Sequence, residues 1–116
     1  MTESGSDKLL VLWTSGERET ALNMVFMYTL NACLNKWWHE VTLLVWGAAG
    51  KLLAEDPELQ EKIPSLKKAG VRVVACKKCA ENQATAESLQ NIGIEVFYTG
   101  TFLTDWLKSG DKVLSV

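Results

Sequence analysis

The stretch VVACKKCAENQ at positions 73–83 holds two cysteines with two lysines between them, Cys76-Lys77-Lys78-Cys79. Thiols at this spacing can ligate a metal, cycle between dithiol and disulfide, or carry a sulfur atom. They can also be no more than small apolar side chains at a strand end. Cys76 ends a β-rich apolar run, and the helix after it is expected to begin between Cys79 and Glu81. Unpaired backbone N–H groups at a helix start favour a thiolate over a thiol, and Lys77 and Lys78 add positive charge beside it. A lone cysteine here would read as packing. A strand-end cysteine with two lysines and a second thiol reads as reactive, with Cys79 as its partner.

The competing chemistries lack their other components. Structural zinc takes four Cys or His ligands, commonly as two separated pairs. This chain has one pair, and Cys33 and His39 are distant in sequence; a zinc site shared between subunits stays as a third possibility, and the expectation is no metal and no cofactor. A thioredoxin-like dithiol follows an early strand and is completed by a proline loop. Proline occurs here only at 57 and 64, neither of them before a strand. TSGERET, from Thr14, resembles a loop over a helix start but matches neither glycine-rich nucleotide fingerprint, so Ser15 reads as a helix cap. The single histidine lies in the Trp37-Trp38-His39 turn. It is read as a surface or packing residue, and no Ser-His-acid arrangement follows.

Five apolar runs supply the strands: KLLVLWT (8–14), EVTLLVWG (40–47), VRVVAC (71–76), IEVFYTG (94–100) and DKVLSV (111–116). Runs without strict alternation belong to strands covered on both faces. Helical periodicity fills the gaps. It predicts a helix from Glu17 to about Asn35 with Leu22, Val25, Phe26, Thr29 and Cys33 on one stripe. Met24 to Tyr28 are consecutively apolar, which makes that helix apolar on nearly all sides. A short helix is expected over 51–55. A longer one should run to about Ala69, capped by Asp56, opened by Pro57, kinked or broken at Pro64 and closed by Gly70. Further helices are expected at 81–91 and 102–108, closed by Gly93 and Gly110. Strands alternating with helices imply right-handed crossovers and a mostly parallel sheet with helices on both faces. The strand order is not visible in the sequence.

In such sheets ligands gather at the carboxyl ends of the strands. Those ends supply Trp13, Thr14 and Ser15, then Trp46 and Gly47, then the two cysteines, then Tyr98, Thr99 and Gly100. These residues are the expected pocket around the thiols, although core packing is the commoner role for any one of Trp13, Trp46 and Tyr98.

The chain has 116 residues, 47% of them apolar and 22% charged, which is one ordinary globular domain. Positions 8–116 form that domain, and positions 1–7 read as a flexible terminus without the pattern of a secretion signal. A net charge of −2 with interspersed signs gives no footprint for nucleic acid. No apolar run reaches membrane-spanning length. An odd count of three cysteines fits a reducing cytoplasm. Five tryptophans in so short a chain hint at self-association.

LLVLWTSGERETALNMVFMYTLNA, VTLLVWGAAGKLLAED, VVACKKCAENQ and IEVFYTGTFLTDWLKSGDKVLSV, in this order, resemble the DsrE/DsrF-like proteins of sulfur metabolism. The similarity spans Lys8 to the C-terminus. It implies a three-layer α/β/α fold with a five-stranded parallel sheet and assembly into homo-oligomers such as trimers or hexamers. It also implies sulfur carried as a persulfide on Cys76, with protein donors or acceptors. Cys79 matches a second cysteine found in a subset of the family. Many relatives place a glycine eight positions after the first cysteine, where this chain has Ala84. The expected function is a cytoplasmic sulfur carrier, a sulfurtransferase-type protein using Cys76. The alternative is a non-catalytic oligomeric module that binds a small ligand or anion in the same fold.

Overall fold

The computed structural model describes residues 7–116, so the expectation of a flexible terminus falls outside the described residues except at Asp7, whose carbonyl accepts the His39 N–H. Five strands form one sheet: β1 (Lys8–Trp13), β2 (Glu40–Val45), β3 (Arg72–Cys76), β4 (Glu95–Phe97) and β5 (Lys112–Ser115). Their order is β4-β3-β2-β1-β5, and all four pairings are parallel. The two most continuously apolar strands, β1 and β2, pair along their full length from Lys8↔Glu40 to Trp13↔Val45 and lie in the sheet interior. The edge strands β4 and β5 are short and carry exposed Glu95 and Lys112, which discourages pairing with another sheet.

This order decides which face each helix covers. From β1 to β4 the chain steps across the sheet in one direction, and right-handed crossovers then keep every helix on one face. That layer holds α1 (Arg18–Thr20), a π-helical segment (Ala21–Phe26), α2 (Met27–Leu34), α3 (Ala48–Glu55), α4 (Pro57–Ala69), α5 (Lys77–Gln83) and α6 (Ala86–Asn91). From β4 the chain returns past β3, β2 and β1 to reach β5. The same handedness puts the connecting helix, α7 (Gly100–Ser109), on the opposite face. The packing agrees. Leu9, Val11, Val41, Leu43 and Val73 join the main core with the first helices. Leu10, Leu44 and Val74 point the other way, against Phe102, Leu103 and Trp106 of α7. The chain is a three-layer α/β/α sandwich with a parallel five-stranded sheet.

Several local expectations are corrected. The first helical stretch buries Ala21, Val25, Phe26, Thr29 and Ala32. Leu22 and Cys33 are only partly buried, because the π-helical turn shifts the buried stripe toward small residues. The apolar girth of this helix leaves two expectations, enclosure in the core or exposure toward a partner subunit; Met24 and Met27 face outward, which is against enclosure. Helix α4 passes through Pro64 unbroken. Pro64 lies on the exposed side, while Leu59, Ile63 and Leu66 anchor the other side in the core. Burial of that kind outweighs one missing backbone bond. The fourth strand is also shorter than expected, ending at Phe97.

Asp56 caps α4 by accepting the Leu59 N–H at 3.2 Å, and Pro57 takes the first helical position. Arg18 donates to the Asp56 carboxylate at 2.6 Å and also pairs with Glu58. The Arg18 hydrogen bond, helped by the Leu59 N–H, holds the Asp56 carboxyl below its ordinary 3.8. A depressed carboxylate stabilises the fold above its unfolded value and loses that contribution as pH falls through the folded one. Asp56→Asn keeps the cap but removes the charge. Its urea midpoint is expected to lie below that of the unsubstituted protein near neutral pH, and the gap to close as the solution is acidified below about pH 4. A gap that stays constant through that range would contradict the assignment.

Between Lys77 and Asn91 the structure has two helices, not one, and the first begins directly after Cys76. Ala84 separates them at φ 58°, ψ 41°. This left-handed conformation costs a residue with a Cβ about 1–2 kcal/mol. Because Ala84 is exposed, Ala84→Gly removes the strain and little packing. Stability measured by urea unfolding is expected to rise by up to about 1 kcal/mol; an unchanged or lower value would contradict this reading.

Candidate functional site

Helices leave β3 and β4 on opposite faces of the sheet, toward α5 and α7 respectively. Adjacent strands with diverging connections leave a crevice beyond their carboxyl ends, which is where open α/β sheets place their chemistry. Cys76 closes β3 at this point, paired in register with Phe97 of β4.

Cys76 is the N-cap of α5, with φ −68° and ψ 114°. Its Sγ takes the place of a capping oxygen and accepts the Cys79 N–H at 3.3 Å. That cap starts the helix at Lys77, four residues earlier than the last expected start, and sets Cys79 in its first turn. Cys79 Sγ donates to Cys76 Sγ across 2.8 Å, and both thiols are free. Two donors from one residue therefore converge on the sulfur of Cys76, a residue that is 5% exposed. Cys79 is itself an acceptor for the Gly47 N–H at 3.4 Å. Burial pushes the Cys79 thiol up, the Cys76 sulfur adds to this, and the Gly47 N–H opposes both. The arrangement places a hydrogen-bonded sulfur within bonding reach of a second thiol, which suits thiol–disulfide exchange.

Of the expected pocket residues, the structure brings Gly47, Tyr98, Thr99 and Gly100 to the strand ends flanking Cys76. Tyr98 is largely exposed and donates its hydroxyl to Glu81 Oε2 at 2.8 Å. That bond, with some burial, pushes the phenol up. The Lys77 ammonium sits 5.0 Å over the Tyr98 ring. Lys77 and Glu81, one helical turn apart on α5, thus hold Tyr98 beside the thiols. Lys78 is exposed. Thr99 is 1% exposed, and its hydroxyl has no partner among the described residues. Gly100 opens α7.

The remaining residues lie elsewhere. Trp13 is completely buried in the main core, edge-on to Phe26. Trp46 packs in the opposite cluster with Phe97 and α7. Thr14 and Ser15 follow β1, two strands from Cys76 or about 10 Å across the sheet. There the Thr14 and Ser15 N–H groups and the Thr14 hydroxyl all donate to the Val116 carbonyl. Cys33 is at the opposite end of the strands, donating to the Ala69 carbonyl at 3.1 Å. It lines a pocket of about 320 Å³ with His39 and Lys36.

Sequence reading missed two site residues, Gln83 and Glu81. Glu81 carries a local signal, its i,i+4 spacing from Lys77. Gln83 carries none, because its partner is the Gly47 carbonyl, 36 positions away.

Solved structures with the same architecture include the following three. A conserved protein of unknown function from Bacteroides thetaiotaomicron, BT1422, is 40% identical, with a TM-score of 0.93 over 98% of this chain and 100% of its own. The ychN protein of E. coli is 18% identical, with a TM-score of 0.72 over 94% of this chain and 98% of its own. MTH1491 of Methanobacterium thermoautotrophicum, also of unknown function, is 14% identical, with a TM-score of 0.76 over the same shares. The last two likenesses show the fold alone. A search of curated proteins finds no match. The sequence profile of the DsrE/DsrF-like family matches residues 7–116, and the chain therefore belongs to that family.

Proposed function

We propose that this protein is a sulfur carrier that holds sulfane sulfur as a persulfide on Cys76. The observation that carries the reading is the Cys76 sulfur itself. It ends β3 at the crevice between diverging strands, and it receives both the N–H and the S–H of Cys79. Donors of this kind stabilise negative charge on sulfur. The Cys76 thiolate attacks the outer sulfur of a donor persulfide, R–S–SH. A new S–S bond forms at Cys76, the donor S–S bond breaks, and the donor leaves as a thiolate that takes up the proton Cys76 gave up on ionising. Family membership supports the sulfur-relay setting. Free thiols must be kept reduced, which points to the cytoplasm. Lys77 and Lys78 add positive charge next to the thiols in the chain.

Assembly into a homo-oligomer, a trimer or hexamer, belongs to the same reading. Among the described residues α7 is the single helix over one whole face of the sheet, and Leu107 on it is 57% exposed. A second copy would cover that face. No helix among the described residues is long and apolar enough to cross a membrane.

The test is persulfide trapping followed by mass spectrometry on the unsubstituted protein and on Cys76→Ser. Loading of the first alone supports the carrier. Equal loading of both overturns it and favours the other reading, a non-catalytic binding module. That second reading, a small ligand or anion held at the strand ends of an oligomer, draws on the apolar outer side of the first helical stretch, where Met27 is 51% exposed.

A further inference from the structure

Gly47, between β2 and α3, has φ 65° and ψ −135°. This is the mirror image of an extended conformation and is open in practice to glycine alone. Nothing lies within 4 Å of where its Cβ would be, so the requirement comes from the backbone angles and not from crowding. Those angles turn the two polar groups of Gly47 toward α5. Its N–H donates to Cys79 Sγ at 3.4 Å, and its carbonyl accepts from Gln83 Nε2 at 2.8 Å. Both contacts come from one helix, one turn apart.

The Gln83 amide is held for this contact. Its Oε1 is buried and has no hydrogen-bond partner among the described residues. A leucine or methionine would fill the same space without leaving an acceptor bare. Gly50, in the first turn of α3, leaves room for that amide: a Cβ there would stand 3.3 Å from Oε1. The Nε2 bond to the Gly47 carbonyl is therefore what the side chain contributes.

We infer that Gln83 is a positioning residue for Cys79: by holding the Gly47 carbonyl it fixes the turned backbone of Gly47, whose N–H, in the preceding peptide unit, then prepares the Cys79 sulfur to displace the sulfur carried on Cys76. The displacement rests on the carrier reading. The Cys79 thiolate attacks Cys76 Sγ of Cys76–S–SH. An Sγ–Sγ bond forms, the bond from Cys76 Sγ to the outer sulfur breaks, and its electron pair leaves on HS⁻. With the proton given up by Cys79 this becomes H₂S. The two cysteines are oxidised to the disulfide and the carried sulfur is reduced. Burial works against ionising Cys79, and the Gly47 N–H, ahead of the backbone of Cys79 itself, opposes it.

The experiment has two arms. In the first, Cys76→Ser and Cys76→Ser with Gln83→Leu are alkylated across a pH series and read peptide by peptide. The Cys79 profile is expected to move up by about one pH unit when Gln83 is lost, with the Cys33 profile unmoved as the internal control for folding. A Cys79 profile that superimposes in the two proteins, or one that moves together with Cys33, overturns the proposal. In the second arm, Gln83→Leu with both site cysteines present is loaded from a persulfide donor. The ratio of H₂S release to loading is expected to fall about tenfold; an unchanged ratio contradicts the role in displacement. If the unsubstituted protein takes up no sulfur, the carrier reading fails, while the first arm still decides whether Gln83 acts on Cys79.

Discussion

Cys76→Ser is expected to fold as the unsubstituted protein does and to take up no sulfane sulfur. Serine is the closest replacement in size and a preferred N-cap, so it can accept the Cys79 N–H that Cys76 Sγ accepts now. The start of α5 and the register Cys76↔Phe97 have no reason to move. What disappears is the nucleophile, since a hydroxyl does not ionise near neutral pH and forms no persulfide. Cys79→Ser separates the roles of the two sulfurs. Without a second thiol 2.8 Å away no disulfide can close, and the sulfur should accumulate on Cys76 as persulfide. Cys33→Ser, at the far end of the strands, should leave the product distribution as it was. Uptake, persulfide and disulfide can be counted together by mass spectrometry after alkylation. Persulfide on Cys79 or Cys33 in the Cys76→Ser protein would be the contrary result.

Trp13→Ala is expected to lower stability by about 3–5 kcal/mol, a large share of the roughly 5–15 kcal/mol typical of a domain. Trp13 is fully buried, lies 5.3 Å centroid to centroid from Phe26 at 69°, and packs where β1 meets the first helical stretch. Deleting the indole leaves a void between sheet and helix, and both sides are tied by neighbouring contacts that limit collapse. Trp13→Phe should cost much less. It keeps an aromatic ring against Phe26 and removes an indole N–H that has no partner among the described residues, a group whose burial costs about 1–3 kcal/mol. Urea unfolding of the two variants should rank alanine well below phenylalanine. The reverse ranking would mean that the ring plays another part.

The same residue shows where sequence reading reaches its limit. Trp13 ends a strand on the functional edge, so it was a reasonable pocket wall. Burial depends on which face an odd-numbered residue of β1 presents, and that follows from strand order. Strand order is set by contacts between segments far apart in the chain, and the alternation of strands and helices leaves it open. The parallel sheet and the position of Cys76 were legible because each follows from a local pattern, an apolar run and its last residue. The start of α5 was not legible, since cysteine is an unusual cap and two lysines are unusual in a first turn. The break at Ala84 was hidden because alanine is the best helix former. Pro64 was overestimated, as the pattern Leu59, Ile63 and Leu66 already marked a helix held by its buried side.

The most direct measurement locates the carried sulfur. The protein is treated with a persulfide donor, its thiols and persulfides are capped, and the peptides spanning 73–83 and Cys33 are sequenced by tandem mass spectrometry. The account predicts one additional sulfur atom on Cys76 in the unsubstituted protein, together with a Cys76–Cys79 disulfide that grows in as the persulfide declines. Additional sulfur on Cys79 or Cys33 with none on Cys76 would contradict it.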